Sequence, residues 1–144
     1  MNVDLRTNFS KVGELYQHFG LPTSYDPGVV PHSLSQEDTL FRVRFLQEEL
    51  QEIEEGYDQG DLAQVADGLI DLVVVAMGTA HLHGIPWEDL FDEVQRANMD
   101  KRRASSAAES KRGTSIDLVK PEGWKPPDIE RILIEHGWKT QNQP

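Results

Sequence analysis

The sequence has no cysteine among its 144 residues. Disulfides, zinc–thiolate centres, iron–sulfur clusters and cysteine nucleophiles are therefore excluded, and a reducing compartment is allowed. Basic residues are scarce: 14 lysines and arginines face 25 acids, for a formal net charge of −11. A field of that sign repels phosphate backbones and anionic lipid, so neither nucleic acid nor a membrane surface is expected as a partner. Long apolar runs are missing too. The longest nearly apolar one, Leu72 to Ala80, is shorter than a bilayer requires and follows Asp71. The opening MNVDLRTNFS holds no apolar stretch of signal-peptide length. We expect a soluble, cytoplasmic chain folded as one domain over 1–144, with 104–144 as loop and tail.

What is present is globular in proportion, with 38% hydrophobic and 27% charged residues, but its charge is unevenly spread. From Gln36 to Leu72 eleven acids face only Arg42 and Arg44. From Lys101 to Lys125 seven bases face Glu109, Asp117 and Glu122. Such a pattern serves either a joint cation and polyanion site or two solvated faces that attract weakly; charge count alone favours the second.

Helix signals dominate. Leu5, Phe9, Val12, Leu15, Tyr16 and Phe19 repeat at helical spacing, and Gly20-Leu21-Pro22 supplies a stop. After a turn-rich loop, Ser35 caps a second helix, with Asp38 completing an approximate capping box. Its apolar stripe is Val43, Leu46, Leu50, Ile53 and Tyr57, and it ends near Gly56 to Gly60. Asp61 caps a third helix that is apolar nearly all round from Leu69 to Ala80, the pattern of a central, buried element. Gly84-Ile85-Pro86 breaks it, and Pro86 suits the first turn of a fourth helix through Ala97. Residues 104–127 read as loop with an extended piece at Ile116 to Val119, and a short helix follows from Pro127 to His136. The fold class is all-α, a four-helix-bundle-like domain with a long C-terminal loop and a short final helix.

Helical spacing places Glu48, Glu49 and Glu52 on one side of the second helix, with Phe45 and Phe41 on that same side one and two turns earlier. Asp67 and Asp71, four apart, share a face of the apolar third helix. Ionised carboxylates aimed at an apolar interior need a partner. Between Arg44 and Lys101 only Arg96 is basic, so a divalent cation is the economical answer, and oxygen-only donors suit Mg²⁺ or Mn²⁺. A di-iron bundle would need histidines in Glu-x-x-His spacing, which do not occur; the histidines read as structural or surface groups.

The run Glu48-Glu49-Leu50-Gln51-Glu52 followed by Asp67-Gly68-Leu69-Ile70-Asp71 resembles the all-α nucleoside triphosphate pyrophosphohydrolases of the MazG-like superfamily, related to dimeric dUTPase-like enzymes. Their signature is Glu-x-x-Glu, a spacer, then Glu-x-x-Asp. Glu49 and Glu52 match its first half and Asp71 its closing residue. The third position is Gly68, and Asp67, one residue earlier, is expected to take over with a shorter arm. Asn98 to Lys101 is similar to the family's Asn-x-x-Lys, and Lys120 to Lys125 resembles a Lys-Pro-x-Gly-Trp element of one subgroup.

The resemblance implies hydrolysis of an NTP or dNTP to the monophosphate and pyrophosphate, in nucleotide-pool control or house-cleaning. It implies Glu49, Glu52, Asp67 and Asp71 as ligands of Mg²⁺, or Mn²⁺, and Glu48 as the residue that orients or deprotonates the attacking water. Asn98, Lys101 and Lys120 would hold phosphates, with Lys111 and Arg112 brought over them by the loop. Trp124 would anchor the tail. Phe41 and Phe45 would line a base pocket or pack at a dimer contact. A homodimer or homotetramer is implied by the resemblance alone. Two alternatives stand beside this reading: phosphoribosyl-ATP pyrophosphohydrolase, which shares fold and bond broken, and a non-catalytic acidic interaction module.

Overall fold

The computed structural model describes residues 6–140; Leu5 of the first stripe lies outside them. Five α-helices, α1 (Asn8–His18), α2 (Gln36–Asp58), α3 (Leu62–Leu82), α4 (Trp87–Met99) and α5 (Ile129–Glu135), carry the structure. The rest includes one 3₁₀ turn, Ala107–Glu109, and two short strands, β1 (Arg102–Arg103) and β2 (Leu118–Val119), paired antiparallel with Arg102 opposite Val119. The all-α expectation is met. The described residues up to Ile85 and from His136 onward form one compact unit, and Pro86–Glu135 forms a second.

The caps follow from local chemistry. The Thr7, Ser35 and Asp61 side chains accept from the amides of Ser10, Asp38 and Gln64, satisfying first-turn donors that have no helical partner. Pro86 stands at the cap position of α4 rather than inside its first turn. At the end of α2, Gly60 takes φ +66°, its amide donates to the Tyr57 carbonyl, and the Asp61 amide donates to the Gly56 carbonyl at 2.8 Å. This pair of bonds terminates a helix around a left-handed residue, which glycine adopts without steric cost. Asp61 then starts α3 at once, so α2 and α3 form a tight antiparallel hairpin.

The core of the first unit gathers Phe9, Val12 and Tyr16 from α1, Ile53 from α2, and Val65, Val75, Met77 and Ala80 from α3. His81 is wholly buried and stacks on Phe9 with ring centroids 3.7 Å apart. Its Nδ1 accepts from the Ser24 amide at 3.1 Å, so Nε2 carries the proton and donates to the Phe9 carbonyl at 2.9 Å. The imidazole is thus neutral, and burial lowers its pKa. Residues 137–139 return to this unit and line a cavity of about 280 Å³ with Val30 to Ser33.

Two sequence expectations about burial need correction. The α2 surface turned inward is Arg42, Glu49, Ile53 and Gly56, whereas Val43, Leu50 and Tyr57 of the predicted stripe are exposed. Nor is α3 buried all round: Leu69, Ile70 and Val73 are exposed. The helix is long and apolar enough to cross a membrane by length and composition, with a mean hydropathy of 1.6, though it carries Asp67 and Asp71 and packs on α1 and α2. In the second unit Trp124 anchors the tail to α4, its Nε1–H donating to the Ala97 carbonyl at 2.7 Å.

Candidate active site

Glu49 lies on the face of α2 that meets α3 and is only 9% exposed. The partner helix offers Asp71, which is half-buried, and the next turn of α2 offers Glu52. One carboxylate oxygen from each of Glu49, Glu52 and Asp71 can be chosen so that all three lie within 4.8 Å of one another. Burial pushes the Glu49 carboxyl above the usual carboxylate range, and the charges of Glu52, Asp71 and Glu48 push it further. Among the described residues no arginine, lysine or histidine is ion-paired with these four acids.

Clustered acids at a surface are common. What separates this group is Glu49 Oε2, which is buried and has no hydrogen-bond partner. An orphaned carboxylate oxygen in a low-dielectric setting carries a desolvation penalty that nothing in the chain offsets. Three convergent hard oxygens, one of them unpartnered, fit a divalent metal ion.

The structure does not bring Asp67 into this group. Its side chain is exposed, which corrects the expectation that both aspartates lie on the buried face of α3. The cause is the helix contact. A Cβ at Gly68 would stand 2.7 Å from Ile53 Cγ1, so α2 and α3 meet most closely there. Gly68 faces inward, and at 100° per residue Asp67 is turned outward past Asp71. Glu48 is exposed, next to Glu49 and outside the three-carboxylate group.

Arg42, counted in the sequence only as a base among the acids, is a buried residue of this region. It is 7% exposed, with no acidic partner among the described residues. Its Nη2 donates to the Tyr16 hydroxyl at 2.8 Å and to the Val75 carbonyl at 3.1 Å, and its Nε donates to Thr79 Oγ1 at 3.0 Å. The guanidinium also faces the Phe41 and Phe45 rings, at 5.8 and 5.4 Å from their centroids. Its spacing of seven residues from Glu49 was the available signal, since that interval returns to one helix face.

The predicted phosphate-holding residues all belong to the second unit. Asn98 is exposed near the end of α4. The Lys101 and Lys120 ammonium groups lie 5.3 and 4.7 Å from the Trp124 ring centroid, within cation–π range. Arg112 is paired with Asp117 at 2.7 Å, and Lys111 is exposed.

Residues 12–98 match the phosphoribosyl-ATP pyrophosphohydrolase family, a stretch that is more than half the chain and contains α2, α3 and every acid of the site. No curated protein matches. The family acts on a nucleotide as a metal-dependent hydrolase of an acid anhydride, which accords with the carboxylates just described. The chain belongs to the phosphoribosyl-ATP pyrophosphohydrolase family, a member of the MazG-like all-α nucleoside triphosphate pyrophosphatase superfamily.

Proposed function

We propose that the protein is a Mg²⁺-dependent pyrophosphohydrolase, with Mn²⁺ as a substitute, and that phosphoribosyl-ATP is the first substrate to test. Water adds to the triphosphate ester, the anhydride between the α and β phosphates breaks, and pyrophosphate leaves with phosphoribosyl-AMP as the other product. The observation that carries this reading is the orphaned, buried Glu49 Oε2 beside Glu52 and Asp71. These three residues hold the ion. The bound ion supplies neutralisation of phosphate charge and acidification of water. Glu48 accepts the proton of the attacking water; it neighbours the ligands and its exposed carboxylate is left over from them. The resemblance assigns phosphate contacts to Asn98, Lys101 and Lys120, and neither lysine has an ion-pair partner among the described residues.

A homodimer belongs to this proposal. Helical phase puts Val43, Leu50 and Tyr57 of α2 and Leu62, Leu69 and Val73 of α3 on one side of the hairpin, away from Glu48 and Glu52. Their exposures run from 46% to 77%, a large apolar surface for a monomer to leave in water. Cytosolic placement goes with the reading.

Free NTPs and dNTPs form the second reading, favoured by the Lys120 to Lys125 segment and its likeness to a MazG-like subgroup. A panel of phosphoribosyl-ATP and ribo- and deoxynucleoside triphosphates, with Mg²⁺ or Mn²⁺, separates the two. Pyrophosphate released from phosphoribosyl-ATP supports the first, and pyrophosphate from a plain triphosphate the second. Orthophosphate alone would mean that a different bond is broken and would overturn both, and no product from any of these nucleotides would overturn both in favour of an acidic interaction module. In the same assay Glu48→Gln is expected to lower kcat by about 10²–10⁴-fold with metal binding retained; unchanged turnover would remove Glu48 from that role.

A further inference from the structure

We propose that Phe41 and Phe45 form the stacking platform for the substrate's nucleobase. The proposal rests on the reading of Glu49, Glu52 and Asp71 as the phosphate end of the site. Phe41 is 58% exposed, an unusual position for a phenylalanine, and its ring lies 5.9 Å from that of Phe45 at an interplanar angle of 32°. Helical phase places the pair on the acid side of α2. Phe45 is about 40° from Glu49, and Phe41 about 20° from Glu52, seen down the axis. At 1.5 Å per residue the middle of the phenylalanine pair is about 11 Å along α2 from the middle of Glu49 and Glu52. That separation suits a ribose and phosphates laid along the helix, with the base at one end.

The surroundings favour a base over other occupants. Arg42 already faces both rings, and it is fixed by Tyr16, Val75 and Thr79. A guanidinium tied down in this way holds the rings in place before a ligand arrives, which lowers the ordering cost of binding. Its charge has no acidic partner among the described residues and draws π density inward, leaving surfaces suited to an electron-rich purine. A second copy of the chain is a poor occupant here. Contact through Phe41 would press Glu48 and Glu52 into an interface beside Glu49, adding like-charge repulsion and desolvation.

The test measures affinity by titration calorimetry in Mg²⁺ with two probes, inorganic tripolyphosphate and α,β-methylene-ATP. They share a phosphate chain and differ in the nucleoside. The wild-type protein is expected to bind the nucleotide at least 10-fold more tightly, in line with base–aromatic stacking. Phe41→Ala and Phe45→Leu should each weaken nucleotide binding by about 10-fold and leave tripolyphosphate unchanged. Equal affinities in the wild type, or equal losses for both probes in the variants, would refute the platform while the phosphate site stands. A variant that becomes monomeric with its nucleotide affinity intact would show the pair to be a subunit contact. Binding of neither probe would refute the phosphate-site reading itself, and the platform with it.

Discussion

Glu49 is held in the folded protein at a cost, because one of its carboxylate oxygens, Oε2, loses water without gaining a partner. Two consequences can be measured by thermal unfolding at neutral pH. Mg²⁺ should raise the Tm of the wild type in a concentration-dependent way, as any ligand selective for the native state does. Glu49→Gln should raise the metal-free Tm by a few degrees, on the order of 1 kcal/mol, and abolish the response to Mg²⁺. A variant that keeps the Mg²⁺ response would place the ion elsewhere. His81 titrates in the opposite sense. Its folded pKa lies below the ordinary value of 6.5, so the unfolded chain takes up a proton first as pH falls. The stability that His81 contributes is complete above pH 6.5 and is lost as pH drops from there towards the lowered folded pKa. Urea midpoints measured between about pH 7 and pH 5 should fall in the wild type, and the fall should be shallower in His81→Asn. Glu49 and Glu52 were legible as a pair because three residues return to one side of a helix, but that Asp71 and not Asp67 joins them depends on the contact of α2 with α3 at Gly68. The burial of Arg42 was not legible. It depends on room at residue 78, where a Cβ would collide with the Tyr16 hydroxyl that Arg42 uses.

Among the elements, the boundaries were the more legible part. Ser35, Asp61, Gly60 and Gly84 act over three or four residues, and such signals survive whatever the rest of the chain does. Phase was harder. The apolar stripe of α2 read as its inner face, but the contact with α3 runs through Arg42, Glu49, Ile53 and Gly56. A helix that must present charged groups at its packed seam shows an apolar pattern displaced from that seam. The second strand was anticipated within 116–119 and its partner at 102–103 was not, since a two-residue strand has too little sequence to carry a period. Gly68 supplies a test at this scale. Glutamate there would restore the superfamily's Glu-x-x-Asp, and on ligand count alone should strengthen metal binding. The contact with Ile53 predicts the reverse: Gly68→Glu should lose about 1–3 kcal/mol of stability by forcing α2 and α3 apart. Chemical denaturation together with a Mg²⁺ titration decides, and tighter binding in a stable variant would contradict the packing argument.

For the molecule as a whole, the hairpin of α2 and α3 has two unlike sides, one acidic and one apolar. If the apolar side joins two copies, Leu69→Asp should convert the dimer to a monomer in light scattering, since Leu69 lies in the middle of the α3 stripe and is 47% exposed. A charge there in an already monomeric protein would change little, and an unchanged mass would remove α3 from any interface. Helix composition made the all-α class legible at this scale. The division into two units was not, because it arises from a return of the chain that no local signal marks.

That return bears on synthesis. Residues 137–139 line a cavity with Val30 to Ser33, yet the 50 residues of Pro86–Glu135 separate them from the rest of their unit. At about 5–20 residues per second, the ribosome delivers this closing segment roughly 2.5–10 s after Ile85. The α2–α3 hairpin, built on local contacts, forms far sooner than that. The cavity beside Val30 therefore gains its second wall only seconds after the residues of α2 and α3 have been made.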